Sequence, residues 1–275
     1  MLNFELYNPV RIIFGPGEAE NIGKYTKEYG TKAMLVTYDV HDFFNELLAK
    51  LDKSFKDAGV TVTEFFKVKP NPRLSDIEEA IDICRKEGIE VIVALGGGSV
   101  MDSAKAIGAG VKYDGDPWKM FVSRHDKAVA VPPTDTLPTI MIPTKSATSS
   151  ETNNVAVATN DRTHEKAYIW APVLYPKICV MDPCVTATLP KFPMAAGAVD
   201  AMSHVLEAYL NGDQNSPVQD RCHEGLLMAV MDLIRKIFKD PDDIQARASL
   251  QWASTLTWNG YLQAGLAAPT PCHQI

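Results

Sequence analysis

Residues 91–105 run Val91-Ile92-Val93-Ala94-Leu95-Gly96-Gly97-Gly98-Ser99-Val100-Met101-Asp102-Ser103-Ala104-Lys105. The apolar run Val91–Leu95 predicts a buried strand, the glycines a bare loop, and Val100–Val111 a helix. A loop without Cβ atoms lets the backbone approach a ligand closely. The free N–H groups at a helix start attract anions, phosphate above all. The stretch therefore predicts a nucleotide or phosphate ligand beyond the end of a strand. Its glycines are consecutive, so it is not the dinucleotide fingerprint with glycines at the first, third and sixth positions. A tight strand-to-helix turn without a ligand is the alternative.

Outward from this stretch, apolar runs alternate with helical patterns. Lys32–Tyr38, Val60–Phe66, Ile89–Leu95 and Thr139–Ile142 read as strands. Phe43–Ala58 reads as an amphipathic helix ended by Gly59, and Asp76–Lys86 as a helix with Ser75 as N-cap. Pro70-Asn71-Pro72 is a stiff connector. Thr152–Thr159 and Lys166–Ile169 suggest a hairpin over the nucleotide site. This alternation predicts an α/β fold with a doubly wound, mostly parallel sheet. Ligands in such sheets bind beyond the carboxyl ends of the strands, which is where the glycine loop falls. The last strand signal is Val180–Met181. Helical composition then covers Pro190–Leu210, Val218–Lys239 and Ile244–Gln263. We expect an α/β domain over residues 1–185 and an all-α domain over 186–275.

Composition narrows the function classes. The 275 residues are 46% hydrophobic and 22% charged, as in ordinary soluble globular proteins. The net charge of −7 comes without a basic block, which argues against nucleic acid or an anionic membrane as partner. No stretch approaches the roughly 18–20 apolar residues of a membrane span. Glu5 interrupts the N-terminus where a signal peptide needs an apolar region. The five cysteines form no Cys-x-x-Cys pair, so free thiols in a reducing cytoplasm are expected. Cys84 falls on an apolar helical pattern and is expected in the core.

A second constellation lies at Gly197-Ala-Val-Asp200-Ala-Met-Ser-His204-Val-Leu-Glu207. Asp200 and His204 are four apart and share one helical face. Carboxylate oxygen and imidazole nitrogen are the usual ligands of Zn²⁺ and Fe²⁺. A plain Asp–His hydrogen bond at a helix interface is the competing explanation. His273 is a third candidate ligand. His223 is expected on an exposed helix face, and no chemistry is assigned to His41, His125 or His164.

Together these pieces resemble the iron-containing (group III) alcohol dehydrogenases, nearest to the butanol dehydrogenase branch. The resemblance rests on Tyr7-Asn-Pro-Val-Arg-Ile-Ile-Phe-Gly15, Pro70-Asn71-Pro72, the Gly96–Lys105 loop and Tyr113–Trp118. It continues through Pro143-Thr144 into Ser150-Glu151, Met181-Asp182-Pro183, Ala196–His204, and Trp252 with Asn259-Gly260. It implies a nicotinamide dinucleotide whose pyrophosphate meets Gly97, Gly98 and Ser99, with Asp102 close behind. Asn71, Thr139, Thr144 and Thr148 match residues around the cofactor. Lys166 matches a lysine near the cofactor ribose and is a possible catalytic group. Asp200, His204 and His273 match ligands of a divalent metal, Fe²⁺ or Zn²⁺, acting as a Lewis acid on a small alcohol or aldehyde. The resemblance also implies a homodimer.

Three departures qualify what is carried over. In the resembled family another histidine and a fourth ligand follow the third ligand; this chain stops at Ile275, so we expect a truncated chain with an incomplete helical domain. Lys145 and Ser149 stand where an apolar residue and a glycine are usual. After the first strand the sequence reads Asp39-Val40-His41-Asp42, where NADP-using relatives carry a turn that accepts the 2′-phosphate. Carboxylates repel that phosphate, and Asp39 can hydrogen-bond ribose hydroxyls. NAD(H) is therefore expected over NADP(H). The leading expectation is an alcohol dehydrogenase or aldehyde reductase. A relative of glycerol dehydrogenase or dehydroquinate synthase is a second reading, although Ala195–Ala208 contains no Lys or Arg for an anionic substrate. A non-catalytic nucleotide-binding fragment is a third.

Overall fold

The computed structural model describes residues 2–40, 42–123, 130–210 and 215–266. Within them the strands are β1 (Arg11–Phe14), β2 (Lys32–Tyr38), β3 (Thr61–Val68), β4 (Val91–Gly96), β5 (Thr139–Pro143), β6 (Val155–Asn160), β7 (Glu165–Trp170) and β8 (Ile178–Met181). Six of them form a parallel sheet in the order β1-β8-β5-β4-β2-β3. β6 and β7 make the expected antiparallel hairpin.

The helices α1 (Ile22–Lys27) and α2 (Asn45–Ala58) cover one face of the sheet; α3 (Leu74–Glu87) and α4 (Gly98–Lys112) cover the other. β4 shows why its sequence is continuously apolar. Val91, Val93 and Leu95 pack toward α1 and α2, while Ile92 and Ala94 pack toward α3 and α4. A strand buried on both faces has no polar side to show. Successive connections leave β2 toward one face and β4 toward the other. The sheet order therefore reverses between these two strands, and a crevice opens beyond their carboxyl ends.

Most expected elements form, with instructive differences at their ends. α3 begins at Leu74, so Ser75 is not its N-cap. The Ser75 N–H instead donates to Asp161 Oδ1 at 3.1 Å, a cap supplied by the β6–β7 turn. α2 ends as expected, with Gly59 in the left-handed region at φ +69°. β1 and α1 were not foreseen; at four and six residues they are too short to show a period.

After Met181 the described chain is helical: α5 (Lys191–Leu210), α6 (Pro217–Lys239) and α7 (Ile244–Leu256). Met194, Ala198, Val230, Ile237 and Leu250 form their common core. α7 stops well before Gln263. Asn259 Oδ1 accepts the Tyr261 N–H at 3.1 Å, and Gly260 turns the chain at φ +94°. No described helix is long and apolar enough to cross a membrane.

Candidate active site

A pocket of about 320 Å³ opens where the carboxyl ends of the sheet face α5. Gly98 and Ser99 at the start of α4 form one wall, with Asn71, Asp102 and Thr148 beside them. Lys166 and Tyr168 reach it from the hairpin. Asp200, His204 and Trp258 line the opposite side. Two motifs about a hundred residues apart in sequence thus meet in one cavity.

The glycine loop works through its geometry. A Cβ on Gly98 would lie 2.7 Å from Thr148 Cγ2, so a side chain there would push the β5-following loop away. The Val100 and Met101 N–H groups both donate to the Gly97 carbonyl. The earlier N–H groups of the α4 first turn have no such helical partner, which leaves them suited to an anion. Across from Ser99, Asn71 holds a left-handed φ of +61°, and its N–H donates to Ser99 Oγ at 3.3 Å.

Not every sequence candidate joins the lining. The Gly97 N–H is used by Tyr38 Oη at 2.8 Å, so Gly97 braces β4 against β2 behind the pocket. Burial pushes the Tyr38 phenol up, opposed by this N–H bond. Thr144 donates its N–H to Gly96 O at 3.1 Å and sits behind the wall. Asp39 stands exposed at the end of β2, its Oδ1 accepting the Val40 N–H. Thr139 is a correction. It opens β5, four residues before Pro143, which at ~3.3 Å per residue puts it about 13 Å from the strand end that faces the site.

Asp102 lies against the pocket, but both its oxygens are engaged. Oδ1 accepts from Ser150 Oγ at 2.6 Å and Oδ2 from the Val157 N–H at 3.0 Å. Desolvation raises its pKa, opposed first by Lys105 and then by these bonds. Lys105 is fully buried beneath it. Its ammonium donates to Ser150 Oγ (2.9 Å), Asn153 Oδ1 (2.9 Å) and the Val155 carbonyl (2.8 Å). This network was missed in the sequence, although a lysine inside the apolar 100–111 helix was a visible signal.

Asp200 and His204 sit one turn apart on α5. A Cβ on Gly197 would meet the Ser146 carbonyl at 2.5 Å, so this glycine lets α5 lie against the loop after β5. His204 is 3% exposed, with Trp258 tilted over its ring at 5.6 Å between centroids. One carboxylate and one imidazole are donors that Fe²⁺ and Zn²⁺ both accept, and they fit two positions of a divalent-metal site. Among the described residues no cluster of three or more ligating side chains occurs. His273, like His41 and His125, lies outside the described residues. His223 is corrected from exposed to buried: it is 0% exposed and packs edge-on against Tyr209. Cys84 is in the core as expected, its thiol pushed up to about 12 by burial.

Comparison with known proteins identifies the family. The family model "Iron-containing alcohol dehydrogenase" matches residues 9–183, and the corresponding C-terminal family model matches 194–275. The chain is 38% identical to a protein named probable NADH-dependent butanol dehydrogenase 1 of Bacillus subtilis, over all of this chain and 70% of that protein. It is 30% identical to the NADPH-dependent aldehyde reductase YqhD of Escherichia coli, over all of this chain and 70% of that protein. Among solved structures, NADH-dependent butanol dehydrogenase A from Thermotoga maritima superposes with a TM-score of 0.91 at 38% identity, covering 98% of this chain and 66% of that one. The chain belongs to the iron-containing alcohol dehydrogenase family.

Proposed function

We propose that this chain carries the cofactor and metal sites of an alcohol dehydrogenase or aldehyde reductase. The reaction is hydride transfer between NAD(H) and a small alcohol or aldehyde. The observation that supports this reading is that Gly98, Ser99, Asp200 and His204 line one pocket. An anion-binding helix start alone would suit many nucleotide proteins; a carboxylate–imidazole pair alone would suit many helix interfaces. Their convergence favours a site that handles a dinucleotide and a cation together.

Each part of the chain has a defined task in this proposal. The α4 N–H groups and Ser99 hold the pyrophosphate, and Asn71 and Thr148 flank it. Lys166 serves the ribose side, where its charge already acts on Asp102. Asp200, His204 and, by family resemblance, His273 hold the cation. Trp258 and the hairpin limit water around the reacting atoms. When bound, the nicotinamide supplies the hydride and the divalent ion supplies Lewis acidity toward the substrate oxygen. Fe²⁺ and Zn²⁺ both suit this donor set. We also propose NAD(H) over NADP(H), because Asp39 and Asp42 put carboxylates at the end of β2. The proposed division into domains at residues 1–185 and 186–275 is supported by the two family-model matches.

The test is a double substitution, Asp200→Asn with His204→Ala. It should remove bound Zn²⁺ or Fe²⁺ measured by elemental analysis, while NADH binding and the far-ultraviolet circular dichroism stay near those of the parent. Unchanged metal content would refute the ligand assignment.

A further inference from the structure

A chain of buried hydroxyls runs from the loop after β5 to the His204 ring. Ser149 Oγ donates to the Ser254 carbonyl at 2.6 Å. Thr257 Oγ1 donates to the same carbonyl at 2.7 Å. The two hydroxyl oxygens are 3.1 Å apart. Thr257 Oγ1 is then 3.4 Å from His204 Nδ1. Ser149 and Thr257 are 0% exposed and Ser254 is 1% exposed, so water does not compete for these groups. Ser149 adopts φ +52°, a left-handed conformation that a side chain rarely takes. Its hydroxyl bonds offset part of that cost and tie the loop to the end of α7.

We propose that Thr257, held by the Ser254 carbonyl, is a positioning residue that fixes the tautomer and orientation of His204. A hydroxyl has one proton to give. We assign the Thr257 proton to the Ser254 carbonyl, an obligate acceptor and the shortest of its contacts, 2.7 Å against 3.4 Å to His204 Nδ1. Thr257 Oγ1 therefore meets His204 as an acceptor, and Nδ1 of the ring carries the proton. The lone pair then resides on Nε2, the nitrogen that the proposed function gives to the cation. Ligating histidines generally need such a partner on the other ring nitrogen, and its loss costs about 10–100-fold in metal affinity. Thr257 does not itself line the pocket, so its influence passes through the imidazole. This inference rests on the proposed role of His204 as a metal ligand.

The test measures Zn²⁺ affinity by chelator competition on the 275-residue chain and on Thr257→Val, Thr257→Ser and His204→Ala. Thr257→Val keeps the shape and removes the acceptor; it should weaken Zn²⁺ binding about 10–100-fold. Thr257→Ser restores a hydroxyl and should bring affinity back toward the parent. His204→Ala should lose the site. If His204→Ala binds Zn²⁺ like the parent, the ligand assignment fails and the inference falls with it. If His204→Ala loses binding while Thr257→Val matches the parent, the ligand assignment stands and the positioning role is overturned. A second readout needs no substitution. In the metal-free chain with the ring neutral, ¹⁵N imidazole shifts should show a protonated Nδ1 and an unprotonated Nε2; the reverse tautomer overturns the proposal.

Discussion

In the proposed function, cofactor choice rests on one exposed side chain, Asp39. It stands at the end of β2, on the β2 side of the crevice, while the turn proposed to hold the dinucleotide follows β4. Two unit charges about 4 Å apart repel by ~1 kcal/mol even in bulk water, enough for a several-fold difference in affinity. NADH should therefore bind at least about fivefold more tightly than NADPH at low salt, and Asp39→Ser should narrow the gap. Fluorescence titration with both dinucleotides checks this; equal or tighter binding of NADPH to the parent contradicts it. At this scale the sequence was only partly legible. Gly98, Ser99, Asp200 and His204, which do line the pocket, stood out as candidates because their chemistry is local: a helix start and an i, i+4 pair. Thr139 and Gly97 fall outside the pocket lining because strand direction and the Tyr38 contact decide their places, and neither is written in neighbouring residues.

The element that ties the site together is α4. Its start faces the pocket; one turn further on Asp102, and about one turn beyond that Lys105, reach the hairpin and its lead-in. Ser150 Oγ accepts from Lys105 and donates to Asp102, so a single hydroxyl relays between the two charges. Glu151, also buried, contributes to the field around Lys105, and Thr255 donates to its carboxylate at 2.6 Å. Burial lowers the Lys105 pKa to about 8, with Asp102 and Glu151 acting against that shift. At neutral pH the ammonium is the form that fits, because all three of its protons have acceptors. Removing one partner of a buried charge network leaves the others uncompensated, at a cost of about 3–5 kcal/mol. Lys105→Met should therefore lower the unfolding free energy by about that amount, read from urea denaturation. A midpoint equal to the parent would mean that the lysine does not hold α4 to the hairpin. The helix itself was legible from its pattern; its buried cation was not given a role, since the acceptors lie 45–50 residues away.

Across the whole molecule, the doubly wound sheet was legible because fully buried strands and amphipathic helices leave different periodic signals. The hairpin and the change to helices after Met181 were legible for the same reason. What the pattern could not supply was the strand order, and hence the reversal between β2 and β4 that opens the crevice. Nor could it show that α5 closes the other side, which depends on Gly197 resting against the Ser146 carbonyl. The central claim is that one pocket holds both the dinucleotide and the divalent ion. The most direct test loads the chain with Co²⁺, whose visible absorption reports its ligands, and titrates in NADH. A shared pocket predicts saturable NADH binding that shifts the Co²⁺ spectrum, with no such spectrum in the Asp200→Asn, His204→Ala variant. NADH binding that leaves the Co²⁺ spectrum untouched would contradict the account.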